Sequence, residues 1–414
     1  MHIWEKKTKE EIRQRIFDAL HENRDYFGNN SLGVPGSHLD SKVFPEDAPF
    51  LKEAPFITSL LHNPNHIGCH TQGESESFFK GTQDIERELI EICGVDILKG
   101  EPNSIDGYVA AGGTEANMQA IWIYRNYFKE EFNATLDEIA IIASQDSHYS
   151  MAKASNILSL TYYQVAVSEN ERVLLQTSLE EKIEQALAEG KKYFIVIANM
   201  MTTMFGSVDD VNIYTDTLKA KQLPFKLHVD GAYGGFFFPF SHKKHNLDFR
   251  NKDISSVTLD AHKMLQAPYG TGLFLVRKGW MKYGNTKADY VQGDDFTMIG
   301  SRSGANAIAI WMILLTYGPY GMREKIYILS KRGDWFTHKL DEIGIQYFRS
   351  KDSNIITMKA KGISPEVASK YGLVPDVHHN PSWYKVVIME HVTIEKLAPL
   401  VEDLKKISIK KTTV

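Results

Sequence analysis

Short apolar runs that each close on small or polar residues, with helical patterns between most of them, constrain this chain more than any other feature. The runs are "DGYVAAG", "IAIIASQ", "YFIVIANM", "FKLHVDGA", "SSVTLD" and "TGLFLVRKG". Runs of this length rich in Val, Ile and Phe read as strands, and their alternation with helices predicts β-α units around a mostly parallel sheet. Helices are predicted over 115–128 and 179–188. Open α/β sheets bind ligands in the crevice outside the carboxyl ends of their strands, so the strand ends have to be read together.

After about Tyr320 the pattern changes to a long helix, shorter strands ("NIITMKA", "WYKVVIME") and a final helix. In that helix Ile394, Leu397, Leu400, Val401, Leu404 and Ile407 recur at helical spacing behind Thr393 as N-cap. The expected division is a helical segment over 1–55, a large domain over 56–320 and a smaller α+β domain over 321–414. A chain of 414 residues with 43% apolar content can bury a core of that size.

The net charge of -5 is scattered, with no basic block, so a nucleic-acid partner is not expected. Two cysteines, Cys69 and Cys93, are too few for a disulfide framework or a thiolate metal site, which points to a reducing, cytoplasmic setting and no bound metal. Near the N-terminus Ile12, Ile16, Phe17 and Leu20 suggest an amphipathic helix rather than a secretory signal. The longest apolar run, Ala307 to Leu315, is about half of the roughly 18 to 20 residues a membrane span needs, and reads as a buried helix with no membrane partner. "GGFFFPF" reads as core and "SHKKH" as surface.

The chemistry sits at the strand ends. In "AAGGTEANMQA" a strand gives way to Gly112, Gly113 and Thr114 at the start of a helix, where free N–H groups favour a phosphate. Taken alone this reads equally well as a structural tight turn, and it is neither a Walker loop nor the dinucleotide fingerprint. Asp230 closes "HVDGAYGG", where a capping aspartate is the plain alternative; buried, it would need a cationic partner. Lys263, in "TLDAHKML", must reach solvent or lose its charge, and a desolvated lysine is the amine that forms Schiff bases. His148, in "SQDSHYS", falls between the glycine turn and Asp230 in chain order.

The strings "FFKGTQDIE", "GGTEAN", "DSHYS", "TTMFGSVDD", "HVDGAYGG", "DAHKM" and "GSRSG", in this order over about Phe79 to His391, resemble the pyridoxal-phosphate-dependent amino-acid decarboxylases. The likeness is greatest to short bacterial and archaeal tyrosine/aspartate and histidine decarboxylases. It implies an aspartate-aminotransferase-like α/β fold (fold type I), pyridoxal 5'-phosphate as cofactor and a homodimer acting on an amino acid as small-molecule substrate. Carried over residue by residue, Lys263 would hold the cofactor covalently. Asp230 would pair with the pyridine nitrogen, His148 would stack on one ring face and Ala232 on the other. Gly113, Thr114 and His262 would hold the phosphate, joined by Gly300 and Ser301 of the partner subunit, and Thr202 would lie beside the phenolic edge.

Tyr290, in a polar segment before "GSRSG", is a candidate acid for protonating Cα; a plain surface tyrosine is the alternative, with Lys263 or His148 as donor instead. His66 and His70 are candidates for lining the substrate cleft, or simply solvated loop histidines. Two positions depart from the resembling sequences. Met201 stands where glycine is usual, and Lys385 where archaeal relatives have an arginine able to grip a substrate carboxylate at two points. The expected reaction is decarboxylation of an L-amino acid with an aromatic or acidic side chain. A carbon–carbon lyase of the sphingosine-phosphate type shares the cofactor motifs, and a non-catalytic cofactor-binding protein is opposed by the intact Lys263, Asp230 and His148.

Overall fold

The computed structural model describes residues 4–22, 47, 49–61, 65–66, 77–286, 289 and 293–412. Its centre is a seven-stranded sheet built from β1 (Ile105–Ala110), β2 (Ile139–Ser144), β3 (Thr161–Val165), β4 (Tyr193–Asn199), β5 (Phe225–Gly231), β6 (Ile254–Asp260) and β7 (Gly272–Arg277), in the order β1-β7-β6-β5-β4-β2-β3. β7 runs antiparallel to both its neighbours, and every other pairing is parallel. The six runs read from the sequence are all strands. β3, "TYYQV", escaped that reading because it is an edge strand with only Tyr163 and Val165 buried, too short and polar to stand out.

Helices cover both sheet faces: α1 (Lys9–Glu22), α2 (Lys80–Glu91), α3 (Gly113–Phe132), α4 (Ser150–Leu158), α5 (Gln176–Ala188) and α6 (Val211–Ala220). α1 opens with a capping box, Glu11 N–H donating to Thr8 Oγ1 at 3.2 Å and Thr8 N–H to Glu11 Oε2 at 2.8 Å. It buries Ile12, Ile16, Ala19 and Leu20. A Cβ on Gly81 would lie 1.9 Å from the Ala19 carbonyl oxygen, so only glycine lets α2 approach α1 this closely.

The apolar run at 307–315 and the long helix expected after Tyr320 are the two arms of one element, α7 (Gly304–Glu342), bent where Gly318 leaves helical geometry at φ 61° ahead of Pro319. Proline has no N–H to offer the Leu315 carbonyl, and Lys7 N–H supplies the bond instead at 2.9 Å. Trp4 Nε1–H donates to the Leu314 carbonyl at 3.1 Å. The N-terminal segment thus satisfies the carbonyls that the bend leaves open. Beyond α7 come β8 (Tyr347–Phe348), β9 (Ile355–Lys359), β10 (Val374–Pro375) and β11 (Trp383–Val387), an antiparallel sheet in the order β8-β9-β11-β10, and then α8 (Ile394–Thr412). "SHKKH" is only partly a surface stretch, because the His245 side chain is 6% exposed against Phe238 and Asp248. No helix among the described residues is long and apolar enough to cross a membrane.

Candidate active site

Side chains alternate between the faces of a strand, and in β5 and β6 the alternation separates chemistry from packing. Val229, Val257 and Leu259 belong to the larger apolar core. His228, Asp230, Ser256, Thr258 and Asp260 occupy the intervening positions, buried. α3 crosses this polar face and presents Asn117, 1% exposed, to it. Its amide Nδ2 donates to Asp230 Oδ2 at 2.9 Å, and Asp230 Oδ1 accepts from Ala232 N–H at 3.0 Å.

At the carboxyl ends of β1, β2, β5 and β6 a cavity of about 580 Å³ opens, lined by Gly113, Thr114, His148, Ala232, His262 and Lys263 among others. The start of α3 forms one wall. Its first N–H groups have no acceptor within the helix, so an anion is favoured there. Gly112, at φ 155°, turns the chain into the helix, and a Cβ on Gly113 would stand 2.9 Å from Ala232 Cβ and 3.1 Å from Asp260 Oδ2.

Lys263 sits on the turn after β6, its N–H bonded to the Asp260 carbonyl at 3.2 Å and its Nζ 3.6 Å from Asp260 Oδ2. The same carboxylate accepts from Gly113 N–H at 3.2 Å, and its Oδ1 lies 2.8 Å from His262 Nδ1 in an orientation that leaves both atoms without a hydrogen bond. Burial raises the Asp260 carboxyl above the usual carboxylate range, while Lys263 and His262 pull it back.

The His148 loop is tied down by Asn199, which donates to Ser147 Oγ at 2.9 Å, and by an Arg172–Asp146 ion pair. Burial holds the His148 imidazole below its usual value; Asp230 draws it up, and Lys263 and Lys153 press it down. Thr202 does not line the cavity: its hydroxyl shares a 2.7 Å bond with Ser207 Oγ. Met201 beside it takes a left-handed backbone, φ 69°, with its side chain buried. Lys385, on β11, donates to the Thr203 carbonyl at 2.8 Å, and its amine is lowered by burial and further by Lys263.

Gly300 and Ser301 are exposed, whereas Met298 and Ile299 just before them line the cavity. His70 and Tyr290 lie outside the described residues, as does the His66 side chain; the His66 backbone pairs with Arg302. No cluster of three or more potential metal ligands occurs among the described residues.

An anion-binding helix start, a lysine amine and two buried polar atoms awaiting partners fit a phosphate-bearing carbonyl cofactor such as pyridoxal phosphate. Residues 86–348 match the pyridoxal-dependent decarboxylase conserved domain. The chain belongs to that decarboxylase family. It is 48% identical over 409 residues to a tryptophan decarboxylase of Clostridium sporogenes, covering 98% of both chains. It is 27% identical over 397 residues to a probable L-aspartate decarboxylase of Archaeoglobus fulgidus, covering 94% of this chain and 99% of the relative. In fold it is similar to the L-methionine decarboxylase of Streptomyces sp. 590, with a TM-score of 0.72 at 19% identity over 85% of this chain and 88% of that one. The decarboxylase is therefore a fold type I α/β enzyme, a carboxy-lyase that uses pyridoxal phosphate on an amino acid.

Asn117, His228 and Asp260 are the residues that sequence reasoning passed over. Each lies inside a quoted motif, and for His228 and Asp260 the signal was present: polar residues at alternate positions of strands otherwise apolar enough to be buried on both faces.

Proposed function

We propose that the decarboxylase acts on an aromatic L-amino acid, with L-tryptophan the preferred substrate, releasing carbon dioxide and the amine. The observation that carries this reading is the 48% identity to the Clostridium sporogenes enzyme over 98% of both chains. The cavity agrees with it: Met118, Tyr149, Met298 and Ile299 supply apolar and polarizable lining, and Lys263 is the one Lys or Arg among the described residues that line it. An acidic side chain would need a further cation there, since a buried charge without a partner is costly. The expected result is a kcat/KM for L-tryptophan at least about 10-fold above those for L-tyrosine, L-phenylalanine, L-aspartate and L-glutamate, measured as carbon dioxide release; each 10-fold corresponds to about 1.4 kcal/mol. Faster turnover of either acidic substrate overturns the reading.

In this reading Lys263 holds the cofactor through its amine, and Gly113, Thr114 and His262 hold its phosphate with Gly300 and Ser301 of the partner subunit. When bound, pyridoxal phosphate supplies a ring that accepts the electron pair left as the α-carboxylate departs. Asp230 pairs with the ring nitrogen, and His148 and Ala232 flank the ring. Lys385 offers the substrate carboxylate a single-point contact, since an ammonium lacks the two-point fork of arginine. Tyr290 gives a proton to Cα, as a phenol with an ordinary value near 10 keeps its proton at neutral pH. The active unit is a cytoplasmic homodimer with no nucleic-acid or membrane partner, supported by the scattered net charge of -5 and by the exposed Ile299 beside the cavity. Light scattering that returns a fully active monomer overturns the dimer.

A further inference from the structure

We propose that Asn117 is a positioning residue that fixes the proton position on His228 and orients Asp230 and the Ser150 hydroxyl, while Ser150 in turn fixes that on His148, so that each imidazole carries its hydrogen on Nε2. This rests on the reading in which Asp230 and His148 contact the cofactor ring.

The argument begins at the carboxylate. An ionised Asp230 can only accept, so the group 2.9 Å from its Oδ2 must be the amide nitrogen of Asn117. That choice turns Asn117 Oδ1 toward His228, whose Nε2 lies 3.0 Å away. An amide oxygen is an acceptor, so His228 Nε2 carries the hydrogen, shared with Thr258 Oγ1 at 3.1 Å. His228 Nδ1 is then a lone pair that accepts the Ser256 hydroxyl at 2.6 Å. Ser256 Oγ, its own hydrogen committed, accepts from Tyr124 O–H. Every bond from Tyr124 through Ser256, His228 and Asn117 donates toward Asp230.

The second hydrogen on Asn117 Nδ2 faces Ser150 Oγ at 3.3 Å. Ser150 lies 2.9 Å from His148 Nδ1 through its hydroxyl and donates its backbone N–H to the same nitrogen at 3.2 Å. A nitrogen that accepts a backbone N–H carries no hydrogen of its own, so His148 is also protonated on Nε2. Asn117 thereby spends its amide hydrogens on Asp230 and Ser150 and its oxygen on His228, and reaches His148 through Ser150. Tyr124, Ser150, His228 and Ser256 are fully buried, and Asn117 nearly so. In such surroundings aligned bonds reinforce one another and a reversed partner is costly. Burial also lowers His228 to about 4, which keeps it neutral at working pH.

Two measurements test this. In solid-state nitrogen NMR of histidine-labelled holoenzyme, with signals assigned through His148→Gln and His228→Gln, both rings are expected to show a protonated Nε2 and a bare Nδ1. A protonated Nδ1 on either ring overturns the proposal, whatever the substrate and whichever lysine holds the cofactor. In Asn117→Asp a second carboxyl faces Asp230, and two carboxyls at that distance share one proton. Its kcat is expected to fall as pH rises, with a new limb absent from the parent enzyme, while KM stays within about 3-fold. Asn117→Ala is expected to lose about 10- to 100-fold in kcat at all pH values. An Asn117→Asp profile parallel to that of the parent overturns the proposal; if that variant does not fold, the NMR result on the unmodified enzyme decides.

Discussion

Lys263 Nζ and Asp260 Oδ2 face each other at 3.6 Å across the turn that ends β6, and the same carboxylate oxygen receives the first N–H of α3 from Gly113. One side chain therefore sets the distance between the amine and the anion-binding helix start. Asp260→Asn keeps the shape and removes the charge. Cofactor retention is expected to weaken by about 10- to 100-fold, the usual scale for a group that orients ligating residues. Equilibrium dialysis against pyridoxal phosphate measures it, and an unchanged dissociation constant would show that Asp260 only closes the turn.

Asp230→Asn separates binding from electronics. The amide oxygen can still accept from Ala232 N–H while its nitrogen replaces the oxygen that faced Asn117, and the protein is expected to fold and retain the cofactor. Loss of the charge should lower kcat by about 10²- to 10³-fold, typical of removing a preorganised electrostatic partner. Steady-state kinetics with unchanged kcat in a cofactor-loaded variant would reduce Asp230 to a structural cap.

Met201 sets two effects against each other. Its left-handed backbone costs an L-residue about 1–2 kcal/mol, which glycine would relieve. Its side chain is only 4% exposed, and removing a buried methionine side chain costs about 2–5 kcal/mol. Packing is the larger quantity, so Met201→Gly is expected to be destabilised by about 1–3 kcal/mol in urea unfolding. A variant as stable as the parent would mean that backbone strain dominates.

Acid sensitivity follows from three buried groups. Burial lowers His228 and His245 to about 4 and raises Asp209 to about 7. From about pH 6.5 down to 4 the unfolded histidines take up protons that the folded ones refuse, so each removes about 1.4 kcal/mol of stability per pH unit. Folded Asp209 binds a proton over nearly the same window while its unfolded form does not, so it offsets one histidine. His148 and His242, lowered, and Glu115 and Asp260, raised, act in opposite directions. The net expectation is a loss of about one histidine's slope between pH 6.5 and 5, flattened in His245→Gln. Urea midpoints that rise on acidification would reverse the assignment.

What the sequence disclosed depended on how local each signal was. The central strands were legible because burial on both faces demands unbroken apolar runs, and Lys263, Asp230 and Gly113 because each ends or follows such a run. β3 was not, since an edge strand carries half the signal. The unity of α7 was hidden by Gly318–Pro319, which reads as a break until Lys7 and Trp4 are seen to fill the open carbonyls. The partners of Asn117 are 33 to 113 positions away in the chain, a relation that no local pattern encodes.

The attachment point of the cofactor tests the central claim most directly. Holoenzyme reduced with borohydride, digested and examined by mass spectrometry should carry the reduced pyridoxyl phosphate group on the peptide containing Lys263, with the visible absorbance of the bound cofactor bleached in step. The group on another lysine, or a bleached enzyme with Lys263 unmodified, would contradict the account.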